Sequence, residues 1–152
     1  YGRARGLDIH EGNIEDPAFA LEQKFDVIFA NNIFEHLLAP HTFLIPIKKF
    51  LKPDGILILG VPCIPKIVSL MRLGKFRGAL ATGHINFFTK ETLIESVLHG
   101  GWDIHAIRGY HFKVRVLDML LNPIYPHFYI TATEDHEFAY SAKRQKELDG
   151  YK

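Results

Sequence analysis

The stretch KFDVIFANNIFEHL, residues 24–37, decides how the rest of the chain is read. Phe25, Val27, Ile28, Phe29 and Ala30 make a nearly continuous apolar run of strand length, the pattern of a strand covered on both faces in a parallel sheet. The run stops abruptly at Asn31 and Asn32, and Glu35 and His36 follow. In open α/β sheets ligands bind beyond the carboxyl ends of parallel strands, so polar residues at this place mark a candidate site.

Outward from that strand the pattern alternates. Residues 41–51 carry Phe43, Leu44, Ile47, Phe50 and Leu51 at helical spacing, with Pro40 interrupting ahead of them and Pro46 predicting a kink or a late start. In LKPDGILILGVP, residues 51–62, Leu51 ends the helix, Pro53, Asp54 and Gly55 turn the chain, and Ile56 to Val61 make a second buried strand. Helix, tight turn and apolar strand describe the return half of a βαβ unit with a right-handed crossover. On the other side, GLDIH at 6–10 reads as a short alternating strand that ends in a turn at Glu11, Gly12 and Asn13.

Downstream, Thr89 is the expected N-cap of a helix, with an incomplete capping box because Thr92 stands where Glu would. Gly100 and Gly101 stop that helix. Trp102–Ile107 and Phe128–Thr133 read as strands joined by a helical Val114–Leu121 that Asn122 and Pro123 end. From Ala142 the chain is charged and is expected to be a solvated helix or a disordered end.

With 152 residues, 47% of them hydrophobic, the chain can bury one ordinary core, so a single domain over 1–141 with a charged tail at 142–152 is expected. A formal charge of +1 gives no general field for nucleic acid, and no nucleic-acid partner is expected. Cys63 is the sole cysteine, which excludes an internal disulfide and fits a reducing, cytoplasmic setting. No run has the length of a spanning helix, and YGRARGLD lacks a signal peptide's apolar core. The first residue, Tyr1, opens in what reads as the tail of an earlier element, as in a fragment, a processed chain or an expression boundary. One segment is locally biased: from Gly55 to Lys90 there is no acid, while Lys66, Arg72, Lys75 and Arg77 flank apolar residues. Residues 66–77 suit an anionic or lipophilic acceptor, a peripheral membrane contact, or simply a solvated helix over the sheet.

The order of these features is recognisable: a GN turn, NNxxEH after a strand, LKPDG, VP, HxxFFTxETL, then GGW. Over roughly residues 5–133 it resembles the C-terminal two-thirds of a class I S-adenosylmethionine-dependent methyltransferase, closest to the branch that holds the ubiquinone-biosynthesis O-methyltransferases. The resemblance implies an α/β, partial Rossmann-like methyltransferase fold. Its sheet would be mostly parallel with an antiparallel last strand, and would lack the family's first two strands and glycine-rich loop. It implies S-adenosylmethionine as cofactor and a small-molecule acceptor. Ala30, Asn31 and Asn32 would line the cofactor's methionine end, and Asn13 with Ile14 would stand where the family holds adenine. An Asp is common at the place of Asn13; the amide still accepts a hydrogen bond, without charge. Asn13 is equally ordinary turn chemistry.

Methyl transfer is a displacement at a sulfonium carbon, which needs alignment, a dry pocket, and a base only where the acceptor must lose a proton. In related enzymes a histidine near the HINFFT segment faces the acceptor, which makes His84 the first candidate base and His36 the second. Each has a structural reading as well, since an imidazole can anchor a loop through a backbone bond. Glu35 reads as a first-turn acid that favours the helix dipole. No metal ligand set is expected: His36 and His41 are separated by Pro40 and are not an i, i+4 pair, and Cys63 reads as a small buried wall residue.

The family anchors its cofactor on a glycine-rich loop and an acid after the second strand, and no G-x-G occurs in this chain. An apolar strand without its usual neighbour leaves an edge that residues 6–10, a second copy or an upstream segment would cover, so a homodimer through that edge is one expectation. A non-catalytic methyltransferase-like module for assembly or partner binding is the alternative function. A nicotinamide-dependent oxidoreductase would need the same absent glycine turn.

Overall fold

The computed structural model describes residues 2–16, 18–65, 83–109, 114–121 and 124–149. Four strands form one sheet: β1 (Phe25–Asn31), β2 (Leu51–Pro62), β3 (Trp102–Arg108) and β4 (His127–Glu134). Their spatial order is β1-β2-β4-β3, with β1 parallel to β2 and β4 antiparallel to both β2 and β3. Three strands therefore run one way, and the last strand in sequence is inserted against them, as expected. Among the described residues four α-helices accompany the sheet: α1 (Pro40–Leu44), α2 (Lys90–His99), α3 (Arg115–Leu121) and α4 (Ala142–Asp149). The 66–77 segment and the Asn122–Pro123 stop lie outside the described residues.

The prolines act as their chemistry dictates. Pro40 opens α1 instead of interrupting it, because a first helical turn has no use for the missing N–H. Pro46 opens a separate 3-10 helix, Pro46–Phe50, so the helical run breaks there. The LKPDG turn is a large bulge inside β2: Phe25 pairs with Leu51 but Val27 pairs with Ile56, and Asp54 takes up the slack at φ 62°.

Two expectations are corrected. Residues 6–10 form no strand and lie exposed, so they do not cover the open edge of β1; five alternating residues fit an exposed extended segment as well as a strand. The capping box of α2 is complete, because the Thr92 hydroxyl does a glutamate's work: Thr89 N–H donates to Thr92 Oγ1 at 2.9 Å and Thr92 N–H to Thr89 Oγ1 at 3.2 Å. At the other end Gly101 adopts φ 75°, the left-handed conformation that ends a helix.

The core lies on one face of the sheet. Ala30, Leu57, Leu59, Val61 and Ile130 meet Phe34, Phe43, Leu44, Ile47, Leu93 and Val97 from the helical side, each of these side chains larger than alanine contributing about 1.5–3 kcal/mol when fully buried. Trp102 closes one end, its indole N–H donating to the Leu44 carbonyl at 2.9 Å. The expectation that β1 is covered on both faces fails: Val27 is 48% and Phe29 60% exposed. These two point away from the face on which α1 and α2 pack, and Phe29 stacks on the ring of Tyr129 at 6.3 Å. β1 is also an edge strand of the described sheet. No described helix is long and apolar enough to cross a membrane.

Candidate functional site

Polar residues collect where β1 ends. Asn31 pairs with Gly60 in the ladder, and a Cβ at Gly60 would collide with Asn31 Oδ1 and the Tyr129 ring, so only glycine leaves the amide room. Asn31 Oδ1 is buried and has no hydrogen-bond partner. Asn32 then turns the chain at φ 53°, its N–H donating to Gly60 O at 2.9 Å. Its carboxamide oxygen lies 3.0 Å from His127 Nε2, which must be the donor, because that oxygen can only accept.

The next residues form a 3-10 helix, Phe34–His36. Phe34 anchors it in the core against Phe43 and Phe88. Glu35 is pulled in beside it and is 1% exposed, with neither carboxylate oxygen hydrogen-bonded. An uncompensated buried carboxylate costs at least several kcal/mol, so its surroundings need a reason. Those surroundings are imidazoles: His36 Nε2 lies 3.7 Å and His84 Nε2 3.9 Å from Glu35 Oε1, and the two rings meet edge to face at 4.8 Å. His36 Nδ1 donates to Gly83 O at 2.9 Å, which fixes Nε2 as the atom facing the acid.

His84 arrives through a backbone clasp. Ile85 N–H and Asn86 N–H both donate to Glu35 O at 3.0 Å, and Asn86 Nδ2 donates to Leu37 O at 2.6 Å. Beyond them Phe88 bridges Cys63 at the end of β2, and Ile64 N–H donates to Phe88 O at 2.7 Å. Cys63 is fully buried, and burial, with the charges of Glu91 and Glu35, pushes its thiol up to about 12, so it is wall and not nucleophile.

Asn13 sits apart from this cluster, exposed in a turn where its Oδ1 accepts from Glu15 N–H at 3.0 Å. Ile14 is half-buried against the core. The carboxylate of Glu15 accepts from the N–H groups of Leu38 and Ala39 at 3.2 and 3.0 Å, tying this turn to the start of α1. Glu35 stands in the first turn of the 3-10 helix, as its sequence position suggested, but its meeting with two histidines was not legible, because His84 lies beyond β2 in the chain.

A family model described as "Methyltransferase domain" matches residues 4–107, more than half of the chain. The chain belongs to the methyltransferase-domain family. No curated protein matches this methyltransferase domain closely. Among solved structures, an S-adenosylmethionine-dependent methyltransferase from Thermotoga maritima is 17% identical with a TM-score of 0.58, covering 87% of this chain and 66% of its own. An S-adenosylmethionine-dependent methyltransferase from Clostridium acetobutylicum is 10% identical with a TM-score of 0.57, covering 87% of this chain and 67% of its own. Human N-acetylserotonin methyltransferase, solved in complex with S-adenosylmethionine, is 13% identical with a TM-score of 0.54, covering 84% and 33% respectively. The domain thus spans about two thirds or less of the length of each. At these identities the likeness is one of fold.

Proposed function

We propose that this methyltransferase domain serves S-adenosylmethionine-dependent methyl transfer to a small-molecule acceptor. The observation that carries the reading is the buried, unpartnered carboxamide oxygen of Asn31 at the carboxyl end of β1, followed within the same segment by Glu35 and His36. The residues present fit the cofactor: that oxygen offers an acceptor to the amino group of a methionine moiety, and Ala30 and Asn32 flank it. Ile14 offers an apolar wall to adenine, and Asn13 retains a second lone pair beside it. When bound, S-adenosylmethionine supplies an electrophilic methyl group on sulfur.

The chain's own residues orient and exclude. Phe34, Phe88 and Cys63 keep the floor dry, and His84, with a side chain 13% exposed, is placed between that floor and solvent. His84 and His36 are the acceptor-side groups in this reading: they hold the attacking atom and take its proton where it carries one.

A second reading, a non-catalytic module for assembly, rests on one edge of the described sheet. The exposed β1 edge, with Val27 and Phe29 beside it, supports pairing with a second copy. Sedimentation of a monomer at every concentration would remove that partner.

The test of the main reading is amide NMR with S-adenosylhomocysteine. Shifts concentrated at Ala30, Asn31, Asn32 and Ile14, and abolished by Asn31→Leu, are expected. Shifts elsewhere only, or none in a folded sample, would favour the assembly module.

A further inference from the structure

Three side chains that can ligate a metal converge on one point. Glu35 is 1% exposed and both its oxygens lack a hydrogen bond. Nε2 of His36 and Nε2 of His84 stand 3.7 and 3.9 Å from Glu35 Oε1, too far for hydrogen bonds. Ligand atoms of the three residues all lie within 4.8 Å of one another. With metal–ligand bonds of about 2.1 Å, tetrahedral ligands stand about 3.4 Å apart, so an ion would draw these atoms together by up to about 1.4 Å.

Tautomer and support agree with this. His36 Nδ1–H is committed to the Gly83 carbonyl, which directs Nε2 inward and is the outer-sphere bond that a ligating histidine commonly makes. The backbone of Glu35 is held by Ile85 and Asn86, so the segment that carries His84 is clamped against the residue it would share the ion with. Two imidazoles and one carboxylate are a borderline donor set, which suits a first-row divalent ion over calcium or magnesium.

We propose that Glu35, His36 and His84 form a three-ligand site for a divalent transition-metal ion such as zinc, with at least one open coordination position. Resting on the methyl-transfer reading, that position takes an oxygen of a hydroxyl-bearing acceptor. With the ion in place the imidazoles are ligands, and the ion holds the acceptor atom.

The test is calorimetric titration of the metal-stripped 152-residue chain with zinc chloride, without cofactor or acceptor, with circular dichroism to confirm folding. One site is expected, weakened about tenfold or more by each of Glu35→Gln, His36→Gln and His84→Gln, and unchanged by His10→Ala at the exposed N-terminal region. Absence of binding by the folded chain would overturn the proposal, as would an affinity that the folded ligand variants leave unaltered. Should Glu35→Gln fail to fold, the more exposed His36→Gln decides. Cofactor binding is read separately: zinc bound without S-adenosylhomocysteine sinks the methyl-transfer reading and keeps the metal site, and the converse sinks only the metal site.

Discussion

Glu35 Oε1 and His84 Nε2 face each other at 3.9 Å although α1 and β2 both lie between them in the chain. The link is the Asn86 side chain, which donates to Leu37 O at 2.6 Å while two backbone N–H groups bond Glu35 O. Asn86→Ala removes the 2.6 Å bond and a longer one from the same Nδ2 to Glu35 O at 3.4 Å, and leaves a carbonyl of buried Leu37 short of its donor. A loss of about 1–3 kcal/mol in urea unfolding is expected. An unchanged midpoint would mean that the backbone bonds alone hold the segment.

Gly101 is required by conformation and by space. At φ 75° a side chain is strained, and a Cβ would lie 2.7 Å from Lys48 Nζ and from the Phe138 ring. Gly101→Ala is expected to lower stability by about 1–2 kcal/mol from backbone strain alone. Thermal unfolding measures this, and a variant as stable as the parent would show that the helix end relaxes.

Stability also depends on pH through His41. Its Nε2–H donates to Tyr140 OH at 2.7 Å, since that hydroxyl gives its own proton to His99 O. Burial first, then the charges of Arg144 and His99, hold His41 below the ordinary 6.5; Glu91 and Glu95 also line this groove. The unfolded chain therefore takes up the proton more readily, so this contribution is present above 6.5 and is lost as pH falls. The melting temperature is expected to drop between about pH 7 and about pH 5, and less steeply in His41→Gln, which keeps a donor to Tyr140. Equal slopes would assign the effect to other groups.

Much of this fold was legible because its signals are local. The β1 run, the LKPDG turn, the GG stop and the last two strands each rest on neighbouring residues whose periodicity or turn chemistry allows few alternatives. Residues 6–10 misled because five alternating residues fit an exposed extended segment as well as a strand. Thr92 misled because a hydroxyl can replace a carboxylate in a cap. The site was half legible: Asn31 and Asn32 follow from strand topology, whereas the Glu35, His36 and His84 cluster is made by a crossing of distant segments that spacing does not encode.

Cys63 offers a check on the core beneath the site. With its thiol raised to about 12 and no exposure, it is expected to ignore a disulfide reagent at about pH 8 and to react once urea unfolds the chain. Full reaction of the native protein would mean that the floor between β2 and Phe88 opens readily.

The most direct measurement is calorimetric titration of the chain with S-adenosylhomocysteine. The account predicts saturable, one-to-one binding at about micromolar strength, weakened at least about tenfold by Asn31→Leu. No heat from a folded sample, or binding that ignores Asn31, would contradict a cofactor site at the end of β1.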